Sequence, residues 1–196
     1  MANVFLDLGT HFGQGLRDFI ARFNIDSTWN VHTFEANPTS YNLFKGHFHP
    51  MTPYVQHHNI AISDHDGTIT VNIETPPGEG ETGMGTTIIS LDDRNPQGGC
   101  PLDYYKTTAE VPCIDLSTFI QNNFKVDDII VIKMDIEGAE YDVLEKMISD
   151  GSLKWVNFIA VEWHSRCFAD VGAALERESA IKKYAIENNI QMESWQ

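Results

Sequence analysis

The hydrophobic and polar positions of this chain alternate between short apolar runs and stretches of helical period, the pattern of a parallel sheet covered by helices. "NVFLDL" reads as a first strand, and after the glycines Phe12, Leu16, Phe19, Ile20 and Phe23 recur at helical spacing. "NVHTFE" predicts a second strand, and Pro38 opens the helix expected over "NPTSYNLFKGHF". "YVQHHNIAIS" reads as a third strand, and "GTITVNIE" alternates like a fourth, antiparallel one after a turn at Asp66-Gly67. "AEVPCID" and "DDIIVIKMD" predict two more strands flanking a short helix, "LSTFIQNN", with the second the most buried. "GAEYDVLEKMISDG" is a helix closed by Gly151, "KWVNFIAVEWH" another strand, "AALERESAIKKYAIENN" a final helix and "IQMESW" a last strand.

Residues 75–110 break this order. They are rich in Gly, Pro and turn-forming polar residues, and a loop of that length predicts a functional insertion, here one lying over the site. Met84, Tyr104 and Tyr105 are its candidate contacts to a substrate. Residues 1–196 together are expected to form one domain.

Charge narrows the partners. Thirteen basic against 28 acidic side chains give a formal charge of −15, which argues against nucleic acid and anionic membranes and suits a neutral or cationic small molecule, a sugar or a peptide. Cys100, Cys113 and Cys167 are odd in number and widely spaced, so neither a disulfide framework nor a zinc site is indicated. With no leader-like start and no apolar run of membrane-spanning length, the expected location is cytoplasmic.

The candidate chemistry lies at the carboxyl ends of the predicted strands, where open α/β sheets form their ligand crevice. "DLGTHFGQG" places Gly9, Gly13 and Gly15 between the first strand and its helix, with Thr10 and His11 between the first two glycines. This is not the dinucleotide spacing, and Asp7 is poor company for a pyrophosphate but suits a ligand with a positive end. A tight strand-to-helix turn accounts for the loop alone equally well. Glu35, with Ala36 after it, ends the second strand 22 residues beyond Gly13, near where such sheets carry an acid for ribose hydroxyls. Ser63 and Asp64 close the third strand, where an adenine amino group is read, although Asp64 is also an ordinary turn residue.

The buried strand "IIVIKMD" runs into Asp135, Glu137 and Glu140, with Gly138 permitting close approach. Helix capping explains one of these acids and not three; Glu140, in the first helical turn, is explained by the macrodipole alone. Lys133 stands two residues before Asp135, on the same strand face, and can pair with one of these carboxylates. The next strand ends with Glu162 and His164 two apart, so both point to one side. Beside Asp135 they make a constellation suited to taking a proton from a hydroxyl.

The segments "FLDLGTHFGQG", "VHTFEANP", "NIAISDHDGTITV", "VPCIDLSTFI", "VIKMDIEGAEYDVL" and "AVEWH", in that order, resemble the FkbM-type family of S-adenosylmethionine-dependent methyltransferases. The resemblance spans Val4 to His164, with "FEANP" and "KMDIEGAE" its most specific parts. It implies a Rossmann-like class I methyltransferase fold of α/β type, a mostly parallel seven-stranded sheet with helices on both faces, and methyl transfer to oxygen. By position it places Asp7 and Gly9 at the methionine end of the cofactor, Gly13 shaping the loop with Thr10 and His11 in it, Glu35 at the ribose beside Ala36, and Ser63 and Asp64 near the adenine. Asp135 would stand by the transferable methyl, with Glu137 and His164 facing the acceptor. His11 occupies a position where family members commonly carry Asn. Little sequence remains for the final strand pair, so the sheet is expected to be shortened at its C-terminal end or completed by a partner chain.

The expected activity is therefore S-adenosylmethionine-dependent O-methylation of a hydroxyl on a small molecule or sugar. Asp135 or His164 is the candidate base, and Glu162 orients the histidine. A divalent metal among Asp135, Glu137 and His164, magnesium rather than zinc, ranks second to a metal-free reaction. The rivals are a non-catalytic nucleotide-binding module and a nicotinamide-dependent oxidoreductase.

Overall fold

The computed structural model describes residues 1–48, 53–76, 78, 85–98 and 101–195. Strands β1 (Asn3–Leu8), β2 (Asn30–Phe34) and β3 (Val55–His58) alternate with helices α1 (Gln14–Phe23) and α2 (Pro38–Phe48). Two further strands, β4 (Ala61–Ser63) and β5 (Gly67–Glu74), precede β6 (Tyr105–Asp115) and α3 (Leu116–Asn123). The remainder runs β7 (Ile129–Met134), α4 (Glu140–Asp150), β8 (Val156–Val161), α5 (Val171–Glu187) and β9 (Gln191–Ser194).

Six strands form one sheet in the order β3-β2-β1-β7-β8-β9, every neighbouring pair parallel. Alternation along the strands feeds two cores. Val4, Leu6 and Leu8 of β1 with Ile130, Ile132 and Met134 of β7 pack beneath α3, α4 and α5 through Leu116, Leu144 and Ile181. Phe5, Val131 and Phe158 point the other way and meet Leu16 and Phe19 of α1 and Phe44 of α2. Helices thus cover both faces, and the sheet order reverses between β1 and β7. The described sheet has six strands where the resemblance implies seven. β9 is its last strand and lies parallel to β8.

The run "YVQHHNIAIS" is not one strand. It breaks after His58: β3 stays in the main sheet, while β4 leaves it to pair with β6, which also pairs antiparallel with β5 in a separate three-stranded sheet. The expected loop is shorter too, because β6 begins at Tyr105 as the partner of β5. Within it, Thr87 exchanges backbone hydrogen bonds with Asn72, and Arg94 bridges to Phe168. These contacts hold residues 85–94 against the carboxyl end of the main sheet.

A pair of stacked imidazoles lies under this arrangement. His32 Nδ1 stands 3.0 Å from His58 Nε2 and Phe119 packs edge-on against the His32 ring. Burial, with His58 adding to it, pushes the His32 pKa down to about 4 from its ordinary 6.5. Between those pH values the unfolded chain holds more protons, so the contribution of His32 to stability is complete above about pH 6.5 and is lost as pH falls toward 4. The melting temperature of the wild type is expected to fall more steeply over that window than that of His32→Phe. Parallel curves would refute this assignment.

Candidate active site

Where the sheet order reverses, the β1 and β7 ends approach so closely that Gly9 admits no side chain. A Cβ there would lie 1.7 Å from the Asp135 carbonyl oxygen, and its φ of 76° is a left-handed value that glycine adopts without strain. Gly9 and Thr10 both donate N–H to the Phe34 carbonyl, and Gly13, also left-handed, leads into α1. Glu35 clamps this loop to β2. Its Oε2 accepts from His11 N at 2.7 Å and its Oε1 from Asn37 N at 2.8 Å. Burial pushes the Glu35 carboxyl up to about 7, against the pull of those two N–H groups.

The loop and strand ends enclose a cavity of about 750 Å³, within the range of small-molecule sites. One end is apolar, walled by Phe34, Ile60, Ala61, Ile62 and Val71, with Thr86 and Ile88 closing it from above. Glu35 and Ala36 lie at its middle beside Gly9, Thr10 and His11. The other end is polar, formed by Lys133, Asp135, Glu137 and Glu162 with Arg166 and Trp195 at its edge.

The floor of that polar end is a chain of alternating charge. Asp7 faces Lys133 Nζ at 3.6 Å, Lys133 reaches Asp135 Oδ2 at 3.2 Å, and Asp135 Oδ1 lies 3.9 Å from His164 Nε2. His164 Nδ1 then meets Glu140 Oε1 at 3.0 Å. Lys133 passes under the first turn of α1 beside Gly15, where a Cβ would lie 3.0 Å from its Cε, and also donates to the Gly9 carbonyl at 2.7 Å. Burial disfavours its charge, but Asp135 and Asp7 outweigh that and keep its pKa above the ordinary lysine value. Glu140, fully buried, accepts from Ile136 N at 2.9 Å and from Gly138 N at 3.0 Å.

His164 is enclosed by acids. Its Nε2 lies 3.4 Å from Glu137 Oε2 and 3.8 Å from Glu162 Oε1. Burial opposes its charge, yet Glu140, Glu137 and Asp135 together raise it to about 10. Such a group is protonated at neutral pH and is not available there to take a proton. Burial drives Glu137 up to about 8, helped by Asp135. Glu137 adopts φ 53°, a strained value for a residue with a side chain, and its carbonyl accepts from the Thr87 hydroxyl.

The structure therefore brings Asp135, Glu137, Glu162 and His164 together, and lines the cavity with Gly9, Thr10, His11, Glu35 and Ala36. Other expected residues stand elsewhere. Asp7 is buried behind Lys133 and does not line the cavity, because β1 alternation turns it beneath α1. Gly13 shapes the loop without reaching the cavity wall. Ser63 and Asp64 are directed away: Asp64 bonds His65 at 2.7 Å on the surface, and the wall there is Ile60 to Ile62. It is Glu140, not Glu162, that orients the imidazole. Tyr104 and Tyr105 do not line the cavity; the Tyr105 hydroxyl donates to the Gly85 carbonyl beneath the Arg94 guanidinium. Met84 and Cys100 lie outside the described residues. Trp195 and Arg166 carry no sequence signal that marks a cavity wall. The buried role of Glu140 is foreshadowed only by an acid four residues past a strand end.

A six-stranded parallel sheet with its crevice at the point of reversal, a glycine loop after β1 and an acid after β2 defines a Rossmann-like fold of the methyltransferase kind. The family model described as "Methyltransferase FkbM domain" matches residues 7–182, most of the chain, and the chain belongs to that family. No curated protein and no solved structure matches it. Among the described residues no helix is long and apolar enough to cross a membrane.

Proposed function

We propose that this methyltransferase moves a methyl group from S-adenosylmethionine to a hydroxyl oxygen of a small molecule or sugar. The observation that carries the reading is the polarity of a single cavity, an apolar slot beside Glu35 at one end and a floor of carboxylates at the other. Adenine suits the slot between Ile62 and Ile88, and the ribose hydroxyls can donate to the outward lone pairs of Glu35. The sulfonium, the positive end of the ligand, then faces Asp135, Glu137 and Glu162. That complementarity is wrong for the pyrophosphate of a nicotinamide cofactor.

In the reaction the acceptor oxygen forms its bond to the methyl carbon as the carbon–sulfur bond breaks, and the sulfur keeps that electron pair as a neutral thioether. The hydroxyl proton must go to a base. Asp135 has the position for that role, since it lines the cavity and Lys133 holds it through Oδ2, leaving Oδ1 for the acceptor. His164 and Glu140 act behind it as positioning residues. The protein's main contribution is alignment of oxygen, methyl and sulfur with water excluded.

Calorimetric titration tests the cofactor. S-adenosylmethionine and S-adenosylhomocysteine are expected to bind and NAD is not. Glu35→Ala should weaken the two adenosyl ligands about 10–100-fold, the scale of hydrogen bonds to a charged group. Binding of NAD in preference, or of none of the three, would remove the proposal.

A further inference from the structure

We propose that Asp135, Glu162 and His164 form a divalent-cation site at the polar end of the cavity, with Glu140 as the residue that aims the imidazole. One ligand atom from each of the three lies within 4.8 Å of the others. The separations from His164 Nε2 to Asp135 Oδ1 and Glu162 Oε1, 3.9 and 3.8 Å, are too long for hydrogen bonds. They approach the spacing of neighbouring ligands around a shared ion, about 3–3.8 Å for metal–ligand bonds of 2.0–2.4 Å.

The independent sign is the histidine itself. His164 is 1 % exposed, and Nδ1 is committed to Glu140 Oε1 at 3.0 Å. A carboxylate only accepts, so Nδ1 carries a hydrogen, and Nε2 is the atom turned toward the cavity floor, where a bound cation would take the place of the ring's second proton. There it lies within ion-pair range of three carboxylates, with Glu137 Oε2 nearest at 3.4 Å and Glu162 and Asp135 at 3.8 and 3.9 Å. A carboxylate fixing one ring nitrogen while the other faces the ion is the common support for metal-bound histidine. Glu140 is in turn held rigid by the Ile136 and Gly138 N–H groups.

The remaining geometry agrees. Asp135 and Glu162 line the cavity, so the outer positions of an ion there open toward the acceptor. With an ion in place Asp135 Oδ1 would be a ligand, and Glu137, whose Oε2 lies 3.4 Å from Nε2 and whose ionised form the ion's charge would favour, would take the coordinated hydroxyl's proton in place of Asp135. In the floor three carboxylates share one ring nitrogen, and two of them have a further partner, Asp135 in Lys133 at 3.2 Å and Glu162 in Arg166 at 3.7 Å. A set of mostly oxygens with one imidazole suits manganese or magnesium, and a bound ion would lower the pKa of the acceptor hydroxyl. This reading reverses the order that the sequence suggests, in which a metal-free reaction ranks first. It also replaces Glu137 by Glu162 among the primary ligands.

The inference does not depend on the methyltransferase reading, and its test contains no cofactor. The chelator-treated protein is titrated with Mn²⁺ and followed by electron paramagnetic resonance, with pulsed detection of directly bound ¹⁴N. One Mn²⁺ per chain carrying the imidazole ¹⁴N signature is expected. Glu162→Gln, a change on the cavity wall outside the packed core, should weaken it at least about 10-fold, and Glu140→Gln about 10–100-fold. Glu178→Gln, an acid on α5 paired to Lys182, should leave it unchanged. Absence of the ¹⁴N signature, equal affinity in Glu162→Gln and wild type, or loss in Glu178→Gln would each overturn the site.

Discussion

Asp135→Asn is expected to lower the rate of methyl transfer about 10²–10⁴-fold, the range of a lost general base, while S-adenosylhomocysteine still binds. The substitution preserves size and keeps an oxygen for Lys133 Nζ, which lies 3.2 Å from Oδ2 in the wild type. What it removes is charge and proton affinity at the cavity surface. Binding of the thioether product depends little on that charge, because the adenosine end is held at Glu35 and the apolar slot. Binding of the sulfonium should suffer more, so the ratio of the two affinities should shift toward the product. Single-turnover kinetics separate these effects from acceptor binding. An Asp135→Asn enzyme with wild-type single-turnover rate would end the assignment, whatever its steady-state behaviour.

Glu140→Ala should cost about 3–5 kcal/mol of folding stability, the scale for breaking a buried ion pair and leaving its partners unmatched. The side chain closes three interactions at once, with Ile136 N, Gly138 N and His164 Nδ1. Alanine leaves the two N–H groups without their acceptor in a site with no room for bulk water, and each such loss costs about 1–3 kcal/mol. Glu140→Gln retains one oxygen and should be milder. Urea denaturation of the two variants beside the wild type measures both. If Glu140→Ala unfolded at the wild-type urea concentration, the buried network would be incidental to the fold, and its role in holding the imidazole would fall with it.

Much of this fold can be read along the chain because its strands and helices are locally consistent. The apolar runs of β1, β7 and β8 are buried on both faces, so no competing period obscures them. Gly9 and Gly151 stop or turn the chain where a side chain would be strained. The departures have particular causes. "YVQHHNIAIS" looks continuous because no glycine or proline interrupts it, yet the Asn59 side chain bonds the Glu35 carbonyl where the chain turns out of the sheet. The start of β6 is hidden because Lys106, Thr107 and Thr108 are polar, with Lys106 and Thr108 exposed, although the strand pairs there with β5. An acid before the glycine loop reads as a ligand contact, which puts Asp7 in the cavity on pattern alone. Its neighbour across the sheet, Lys133, takes that position instead.

By itself the sequence determined the α/β class, the order of the elements, the family, and the strand ends where chemistry would gather, since these depend on period, glycine placement and residue type. It could not determine which carboxylates share a partner. That Lys133 lies between Asp7 and Asp135, that His164 is gripped by Glu140 rather than Glu162, and that Asp64 turns outward are decided by register between strands distant in the chain and by the path of one helix turn. Local pattern places a side chain on a face. Only packing brings four acids around one imidazole, and electrostatics at that range depends on separations of an ångström or two.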